Sequence, residues 1–128
     1  MNQSTFHTEL FELMPVPIAI TKSIENSTNA AIVYINQCFL DELGWDINDI
    51  PDKNTWWTKA YPDEDYRKVV ERQWELVTSN AADNNEKTVS IVVNIVTKYG
   101  DITRYKVSTL LDDYLNEGCK VSVFTRVV

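Results

Sequence analysis

The sequence predicts an α+β fold in which helices pack on one face of a five-stranded antiparallel sheet. Three observations predict it. The last third of the chain is rich in β-branched residues, two short apolar segments near the N terminus flank a polar loop, and helical patterns lie between these groups. The 128-residue length fits one domain that buries about two-thirds of its unfolded surface. We assign residues 1–14 to an N-terminal helix and residues 15–128 to the main domain.

The N terminus has the pattern of an amphipathic helix from Thr5 to Met14, with Ser4 as its N-cap. Its apolar positions share one face at helical spacing. They are Phe6, Leu10, Leu13 and Met14. Pro15 and Pro17 end the helix, because proline lacks the amide hydrogen that a helix interior uses. The segments "VPIAITK" and "AAIVYIN" then predict two strands joined by the turn-rich loop "SIENSTNA".

Three short helices and one long helix are predicted next. "NQCFLDEL" ends at Gly44, "WDINDI" has Asp46 available as a cap, and "NTWWTKAY" has Asn54 or Thr55. The long helix runs from Asp63 to about Ser79, with one apolar side. That side comprises Tyr66, Val69, Val70, Trp74 and Val77. "SNAADNNE" is then predicted as a loop.

The remaining segments predict three consecutive strands. "KTVSIVVNIVTKY" and "ITRYKVSTLLDD" are joined by a tight turn at Gly100-Asp101. The loop "YLNEG" leads to the last strand, "CKVSVFTRVV".

Charge and composition exclude several classes of function. The net charge of −7 argues against nucleic-acid binding, which needs clustered Lys and Arg. No basic and apolar leader is present, and the longest apolar runs fall far short of the roughly 20 residues of a membrane span. We therefore expect a cytoplasmic protein that does not insert into membranes. Cys38 and Cys119 are far apart, fit no metal-site spacing and are expected to be free thiols.

Three motifs in order resemble the PAS family of sensory domains, over roughly residues 12–126. "IVYINQCFLDELGW" is similar to the family's strand end, short helix and Gly-aromatic pair. "NTWWTKAYPDEDYR" resembles its tryptophan-rich element and the start of its long helix, and "TKYGDITRYKVS" resembles its later hairpin. The positions that carry these motifs are Asn36, Phe39, Gly44, Trp45, Pro62, Asp63 and Arg67.

Physical chemistry gives these positions structural roles. Asn36 can bond the backbone of the turn that follows its strand, and Phe39 can pin the short helix to the sheet together with Leu43. Gly44 permits the positive φ that ends that helix. Pro62 ends one segment, while Asp63 caps the long helix and, four residues before Arg67, is placed for a surface ion pair. We therefore interpret the acids of "YPDEDYR" as the start of a helix, not as catalytic groups.

The resemblance implies a cavity between the sheet and the long helix. The lining residues that we expect are aromatic, with two polar contributors. They are Trp57, Tyr61, Tyr66, Trp74 and Tyr105, with Asn94 and Arg104 as the polar pair. Such pockets are mostly apolar with a few orienting polar groups. The alternative is a filled core that binds no ligand.

The ligand or cofactor is unknown from the sequence, although two cofactors are argued against. Haem-binding relatives use a histidine on or near the long helix, whereas the only histidine here is His7. Light-oxygen-voltage relatives need a reactive cysteine in "NCRFL" after the Gly-aromatic pair. Cys38 of "NQCFL" lies before Gly44 and in a different helix. A flavin held without a covalent bond stays open.

The resemblance also implies signalling partners. PAS domains commonly form homodimers, and Phe6, Leu10 and Phe11 with Val92 and Val96 could bury against a second copy. The alternative is that the helix packs on its own sheet. We expect a bacterial parent protein, in a two-component system or similar pathway, with a histidine kinase or diguanylate cyclase effector. The chain ends "VFTRVV" without the family's Asp-Ile-Thr triplet, so coupling differs or lies outside this sequence.

Two other functions are compatible with the same fold class. One is a small enzyme in which Asp63 or Asp65 and a tyrosine act as acid and base; against it, no histidine lies within the predicted fold. The other is a protein-interaction domain without a ligand. Exposure of the acids at the helix start would remove the best candidates for the enzyme.

Overall fold

The computed structural model describes residues 8–111 and 118–128. Its helices are α1 (Thr8–Leu13), α2 (Gln37–Leu43), α3 (Lys53–Ala60) and α4 (Glu64–Asp83). Its strands are β1 (Ile18–Ser23), β2 (Ala30–Ile35), β3 (Thr88–Val96), β4 (Ile102–Leu110) and β5 (Cys119–Arg126). Among the described residues, no helix is long and apolar enough to span a membrane.

The five strands form one antiparallel sheet in the order β2-β1-β5-β4-β3. Hairpins join β1 to β2 and β3 to β4, and β5 returns to the centre to pair with both β1 and β4. The predicted α+β class and five-stranded antiparallel sheet are confirmed. Because β5 is central, its inward side chains meet residues from both ends of the chain.

Side chains alternate between the two faces of the sheet, and the face toward α2, α3 and α4 carries the core. Along β3 the buried positions are every second residue, from Val89 to Ile95. Their partners on β4 follow the same alternation, since Ile91 pairs with Val107 and Val93 with Tyr105. This period of two is the signature of a sheet that buries one face.

Asn36 joins β1, α1 and α2. Its Oδ1 accepts from the amides of Ile18 and Phe39, at 2.9 and 3.0 Å, and so caps α2. Its Nδ2 donates to the carbonyls of Phe11 and Val16. The Asn36 side chain is fully buried. Both its Oδ1 and its Nδ2 are hydrogen-bonded to backbone groups, as is usual for a buried polar side chain.

Gly44 ends α2 as predicted. It adopts φ +80°, and its amide donates to the Leu40 carbonyl. A Cβ at this position would lie 2.9 Å from Lys98 Cβ and 3.0 Å from the Tyr99 ring. Both the backbone angle and the close approach of the β3–β4 turn therefore require glycine. Phe39 and Leu43 of α2 are buried against the sheet.

The starts and ends of the later helices differ from the sequence prediction. The brief turn predicted at "WDINDI" is present, and the Asp46 carboxylate accepts from the Asp49 amide as its cap. The bounds of α3 and α4 do differ. The N-cap of α3 is Asp52, not Asn54 or Thr55, because its carboxylate accepts from the Thr55 amide. Helix α4 continues four residues beyond Ser79 to Asp83, because Ala81 is buried and extends the apolar side.

Two details of α4 also correct the prediction. Val69 is 52% exposed and lies on the solvent side, whereas its neighbour Val70 is buried. Arg67 makes no ion pair with Asp63. Its Nη1 donates to the Tyr61 carbonyl at 2.9 Å, while the Asp63 carboxylate caps the helix through the amides of Asp65 and Tyr66. The Arg67 guanidinium is bonded to the backbone at the end of α3 instead of to this carboxylate.

Helix α1 packs on strand β2 through Phe11, whose ring lies 6.1 Å from that of Tyr34. The Tyr34 hydroxyl donates to the Glu12 carboxylate. Leu10 and Leu13, predicted on the buried face, are 61% and 80% exposed. Helix α1 contacts β2 through Phe11 and Glu12, so Leu10 and Leu13 lie on the side of the helix that faces away from β2. Ser4, Phe6 and His7 lie outside the described residues.

Candidate ligand cavity

A cavity of about 260 Å³ lies between the inner face of the sheet and helices α2, α3 and α4. Its apolar end is formed by Phe39, Trp56, Ile91, Val107 and Phe124. Its polar end is formed by Thr21, Ser23, Thr109, Lys120 and Ser122 of the sheet with Lys53 of α3. We use the names apolar end and polar end for these two sets.

The apolar end is a cluster of aromatic rings in edge contact. Phe39 lies 5.5 Å from Phe124 and 5.6 Å from Trp56, and Trp56 lies 5.9 Å from Phe124. Edge-to-face arrangements at these distances are favourable beyond the burial of the rings. The aromatic wall is therefore held in place by the packing of its own rings.

The change from apolar to polar lining occurs at the same level on β4 and β5. On β1 it occurs one inward-facing residue later, because Ala19 pairs with Ser122. On β4, Val107 is followed on the inner face by Thr109; on β5, moving the same way, Phe124 is followed by Ser122. On β1, Ala19 is followed by Thr21, which pairs with Lys120. The cavity floor thus has a chemical gradient that the register of the sheet creates.

Tyr61 lines the cavity and carries a buried hydroxyl group. The residue follows α3 and is 4% exposed. Its hydroxyl makes no hydrogen bond with any residue in the part of the chain that the structure describes, and burial raises its pKa well above the ordinary value. Buried hydroxyls are normally bonded to protein, water or ligand. Tyr61 therefore offers a donor to an occupant of the cavity.

The structure brings together three of the seven residues predicted for the lining. Trp57 and Tyr61 lie on the α3 side and Trp74 on α4, and all three border the cavity. Trp57 meets Tyr61 at 5.4 Å in an edge contact. Trp56, which the prediction grouped with them as wall or core, is buried and also borders the cavity.

The other four predicted residues lie away from the cavity. The Tyr66 hydroxyl accepts from the Asn94 amide at 2.8 Å, and so covers the outer edge of β3. The Arg104 guanidinium donates to the Asn94 side chain on the opposite face of the sheet. Tyr105 is buried on the inner face and donates to Glu42 at 2.8 Å.

Sequence reasoning missed every sheet residue that lines the cavity. Val107 and Thr109 alternate with Ser108 on β4, so their spacing alone could have placed them together on one face. The register between β1 and β5 brings Thr21 to Lys120, and no local pattern reveals it. Lys53 is the first residue of α3, which the prediction began later.

The cavity does not fit a flavin bound through cysteine. The Cys38 thiol lies on α2 and donates to Glu42 at 3.3 Å; burial and this carboxylate raise its pKa to about 11. Cys119 alternates with Lys120 and therefore lies on the opposite face of β5. No histidine occurs in residues 8–111 or 118–128, and no group of three metal-ligating side chains was found there.

Asp63 and Asp65, the acids that the enzyme hypothesis pairs with a tyrosine, lie on the surface. Asp63, Glu64 and Asp65 are all exposed at the start of α4. The Asp63 carboxylate is engaged as the helix cap. An acid or base with a tuned pKa needs a more buried position, so the structure removes the best candidates for the small enzyme.

A shallow groove adjoins the cavity between α3 and α4. It has a volume of about 460 Å³ and shares Thr28, Lys53, Trp57 and Trp74 with the cavity. Because Lys53 belongs to the polar end, the groove meets the cavity at that end. The two tryptophans stand at this junction.

A family model described as a PAS domain matches residues 5–80 of the chain. This match spans more than half of the sequence, and the chain belongs to the PAS family. The sequence resemblance is thereby confirmed, and the domain is of the sensory class. No curated protein matches the chain.

Solved structures share the fold at low sequence identity. The PAS domain of a protein from Colwellia psychrerythraea superposes with a TM-score of 0.65 at 12% identity, over 94% of this chain and 92% of that one. A domain of a sensory box sensor histidine kinase/response regulator from Geobacter sulfurreducens gives 0.59 at 15% identity, over 93% and 90%. An RNA-binding light-oxygen-voltage receptor gives 0.62 at 14%; the match covers 94% of this chain but only 31% of the receptor.

Proposed function

We propose that this PAS domain is a non-catalytic sensor that binds a small molecule in the cavity and relays its presence to an effector. The observation that carries the proposal is Tyr61. Tyr61 lines an aromatic cavity, and its buried hydroxyl has no hydrogen-bond partner among residues 8–111 and 118–128. A ligand with a polar atom at that position would satisfy it, and the aromatic wall would bury the rest.

The size and chemistry of the cavity support a small organic ligand. A volume of about 260 Å³ lies near the lower limit of ligand pockets, which is about 300 Å³. Lining groups of mainly apolar character with a few polar side chains are typical of such sites. A compact molecule with one ring fits this volume better than a dinucleotide or a tetrapyrrole.

Contacts of the cavity wall provide a route for the signal. Phe39 and Phe124 border the cavity. Phe39 lies three residues before Glu42, and Phe124 lies two residues before Arg126. Glu42 of α2 lies 3.5 Å from Arg126 at the end of β5, and the same carboxylate accepts from Tyr105. A ligand that displaces either ring would change this pair at the end of the last strand.

The same proposal includes the parent protein and the oligomeric state of the domain. The expected parent is a cytoplasmic bacterial signalling protein, such as a sensor histidine kinase or diguanylate cyclase. A homodimer is supported by the exposed Leu10, Leu13 and Met14 of the α1 region. The half-buried Val92 and Val96 remain a proposed part of the same contact surface, together with the α1 region. Light scattering would test the dimer: Leu13→Glu is expected to halve the solution mass, whereas an unchanged mass would reject this surface.

Native mass spectrometry of the freshly purified protein, with an absorption spectrum, tests ligand binding. We expect a stoichiometric additional mass. Val107→Phe fills the apolar end and should remove this mass, whereas the control Val92→Phe on the opposite face of β3 should retain it. Tyr61→Phe should weaken retention. Visible absorbance would identify a flavin or haem instead, and an apo mass throughout would favour the interaction domain.

A further inference from the structure

We propose that the ligand is an uncharged carbonyl compound whose oxygen accepts hydrogen bonds from the Tyr61 hydroxyl and the Trp56 indole. This inference rests on the proposed function, because it names the chemistry of the molecule that the cavity would bind. Its basis is a second buried donor beside Tyr61, together with the uncharged character of the buried lining.

Trp56 carries this second buried donor. The residue is 9% exposed and borders the cavity. Within residues 8–111 and 118–128, its indole Nε1–H has no hydrogen-bond partner, and neither has the Tyr61 hydroxyl. The two rings lie 6.5 Å apart between centroids, in an edge contact. Both groups therefore belong to one part of the cavity wall.

These two groups together select an acceptor. An indole N–H can only donate, and a neutral tyrosine hydroxyl carries one proton to donate. A buried donor without a partner costs free energy, and such donors are rare in proteins. A carbonyl oxygen has two lone pairs and no proton. A ligand with this group can therefore satisfy both donors without adding a donor of its own.

A buried hydroxyl on the sheet side of the cavity already has its partner. Thr109 is 5% exposed, and its Oγ1 lies 2.8 Å from Ser122 Oγ on the neighbouring strand. The sheet thus pairs its buried hydroxyl within the protein, whereas Trp56 and Tyr61 on the α3 side have no such pairing among the described residues. The carbonyl oxygen is therefore expected on the α3 side.

The buried part of the lining is uncharged. Every described lining residue that is buried is aliphatic, aromatic or a threonine. A charged ligand atom placed among these side chains would lose its hydration without gaining a counterion, and this cost is large. An uncharged ligand avoids the cost and still buries its apolar part against the same side chains.

The two lysines of the lining lie at the polar end and are already engaged. Lys53 Nζ donates to the Thr28 carbonyl at 2.6 Å, and Lys120 Nζ donates to the Leu111 carbonyl at 2.8 Å. Lys53 also borders the surface groove, whose lining includes two glutamates and an arginine. Charges of both signs therefore meet where the cavity joins the groove, and this arrangement favours neither an anion nor a cation.

Four probes with the same planar skeleton test the assignment: acetophenone, α-methylstyrene, benzoate and benzamidinium. Acetophenone is uncharged and has the carbonyl oxygen, which α-methylstyrene replaces by a CH2 group. Benzoate and benzamidinium carry a negative and a positive charge on the same skeleton. Calorimetry measures the affinities, with ligand-observed NMR as a second readout. We expect each ion to bind at least about tenfold more weakly than acetophenone, because its charge finds no counterion.

Substitutions of the two donors locate the carbonyl oxygen. Tyr61→Phe removes the hydroxyl and keeps the ring, so it should weaken acetophenone by about tenfold relative to α-methylstyrene. Trp56→Phe removes the indole N–H and should change this affinity ratio in the same direction. Because the ratio compares two ligands of one shape, a change in cavity volume affects both alike.

The matched control is Tyr99→Phe, which removes a hydroxyl from a tyrosine that is 65% exposed. It should leave the affinity ratio of acetophenone to α-methylstyrene unchanged. Circular dichroism of each variant verifies that it is folded.

The outcomes separate this inference from the proposed function. Tightest binding of benzoate or benzamidinium, or an affinity ratio that either donor variant leaves unchanged, overturns the carbonyl assignment while ligand binding stands. If no probe binds, the ligand that native mass spectrometry identifies decides: an uncharged carbonyl compound upholds the inference, and any other molecule overturns it. If no probe binds and the protein is apo, both this inference and the proposed function fail.

Discussion

The two ends of the inner sheet face differ in how completely they are packed. Near α2, residues such as Ile95 and Tyr105 are fully buried, and the polar groups of Asn36 and Tyr105 are bonded within the protein. Toward Thr109 and Ser122, the same sheet borders a cavity. The packed end fixes the fold, whereas the cavity end leaves surface available for a ligand. One domain can therefore keep its architecture while the chemistry of its cavity varies.

The sharpest test compares two isoleucines on the same face of β3. Ile95→Ala should lower the free energy of unfolding by about 4 kcal/mol, since it opens a void in packed surroundings, and Ile91→Ala by about 2 kcal/mol, since Ile91 already borders a void. Urea denaturation measures both. Equal losses would contradict the distinction between the two ends.

Removal of the Asn36 amide tests the packed end from its polar side. Asn36→Ala leaves several buried backbone groups without partners and removes the α2 cap, so we expect a loss of about 3 kcal/mol. Gln37→Ala removes an exposed amide at the adjacent position and should change stability by less than about 0.5 kcal/mol. Similar values for the two variants would reject the role of Asn36.

Comparison of alanine substitutions at Gly44 and Gly100 distinguishes the cost of backbone strain from the cost of steric crowding. Both have positive φ, but a Cβ at Gly44 would meet Lys98 and Tyr99, whereas a Cβ at Gly100 would meet nothing within 4 Å. Gly44→Ala should cost about 2 kcal/mol and Gly100→Ala about 1 kcal/mol. Thermal and urea unfolding of the two variants give the difference. A larger loss at Gly100 would show that the packed end tolerates the added methyl.

We expect the buried Tyr61 at the cavity to make the folding stability decline at alkaline pH. Burial raises the pKa of Tyr61 in the folded protein, so its neutral form is favoured there. The resulting stability is full below the unfolded pKa of about 10 and declines as pH rises above it, by about 1 kcal/mol near pH 10.5. Tyr61→Phe should reduce this decline in urea titrations, and Tyr99→Phe, at an exposed tyrosine, should not. Identical declines in both variants would contradict this assignment.

The sequence predicted the elements that local chemistry controls. Alternation identified the strands, and Gly44 and Asn36 identified the end and the start of α2. The predicted start of α3 and the predicted end of α4 were wrong, because contacts outside the local pattern decide them. Asp52 took the cap of α3 because its carboxylate reaches the Thr55 amide, and α4 extended to Asp83 because Ala81 is buried.

The sequence by itself determined the PAS fold and three aromatic residues of the cavity wall, because the order of strands and helices constrains where the long helix must lie. Only the tertiary structure decided which residues form the floor. The register between β1, β4 and β5 brings Thr21, Thr109 and Ser122 to one end, and the turn of α3 brings Lys53 beside them. The register between strands that are distant in sequence is set by the packing of the whole domain. No local sequence pattern specifies which of their residues pair.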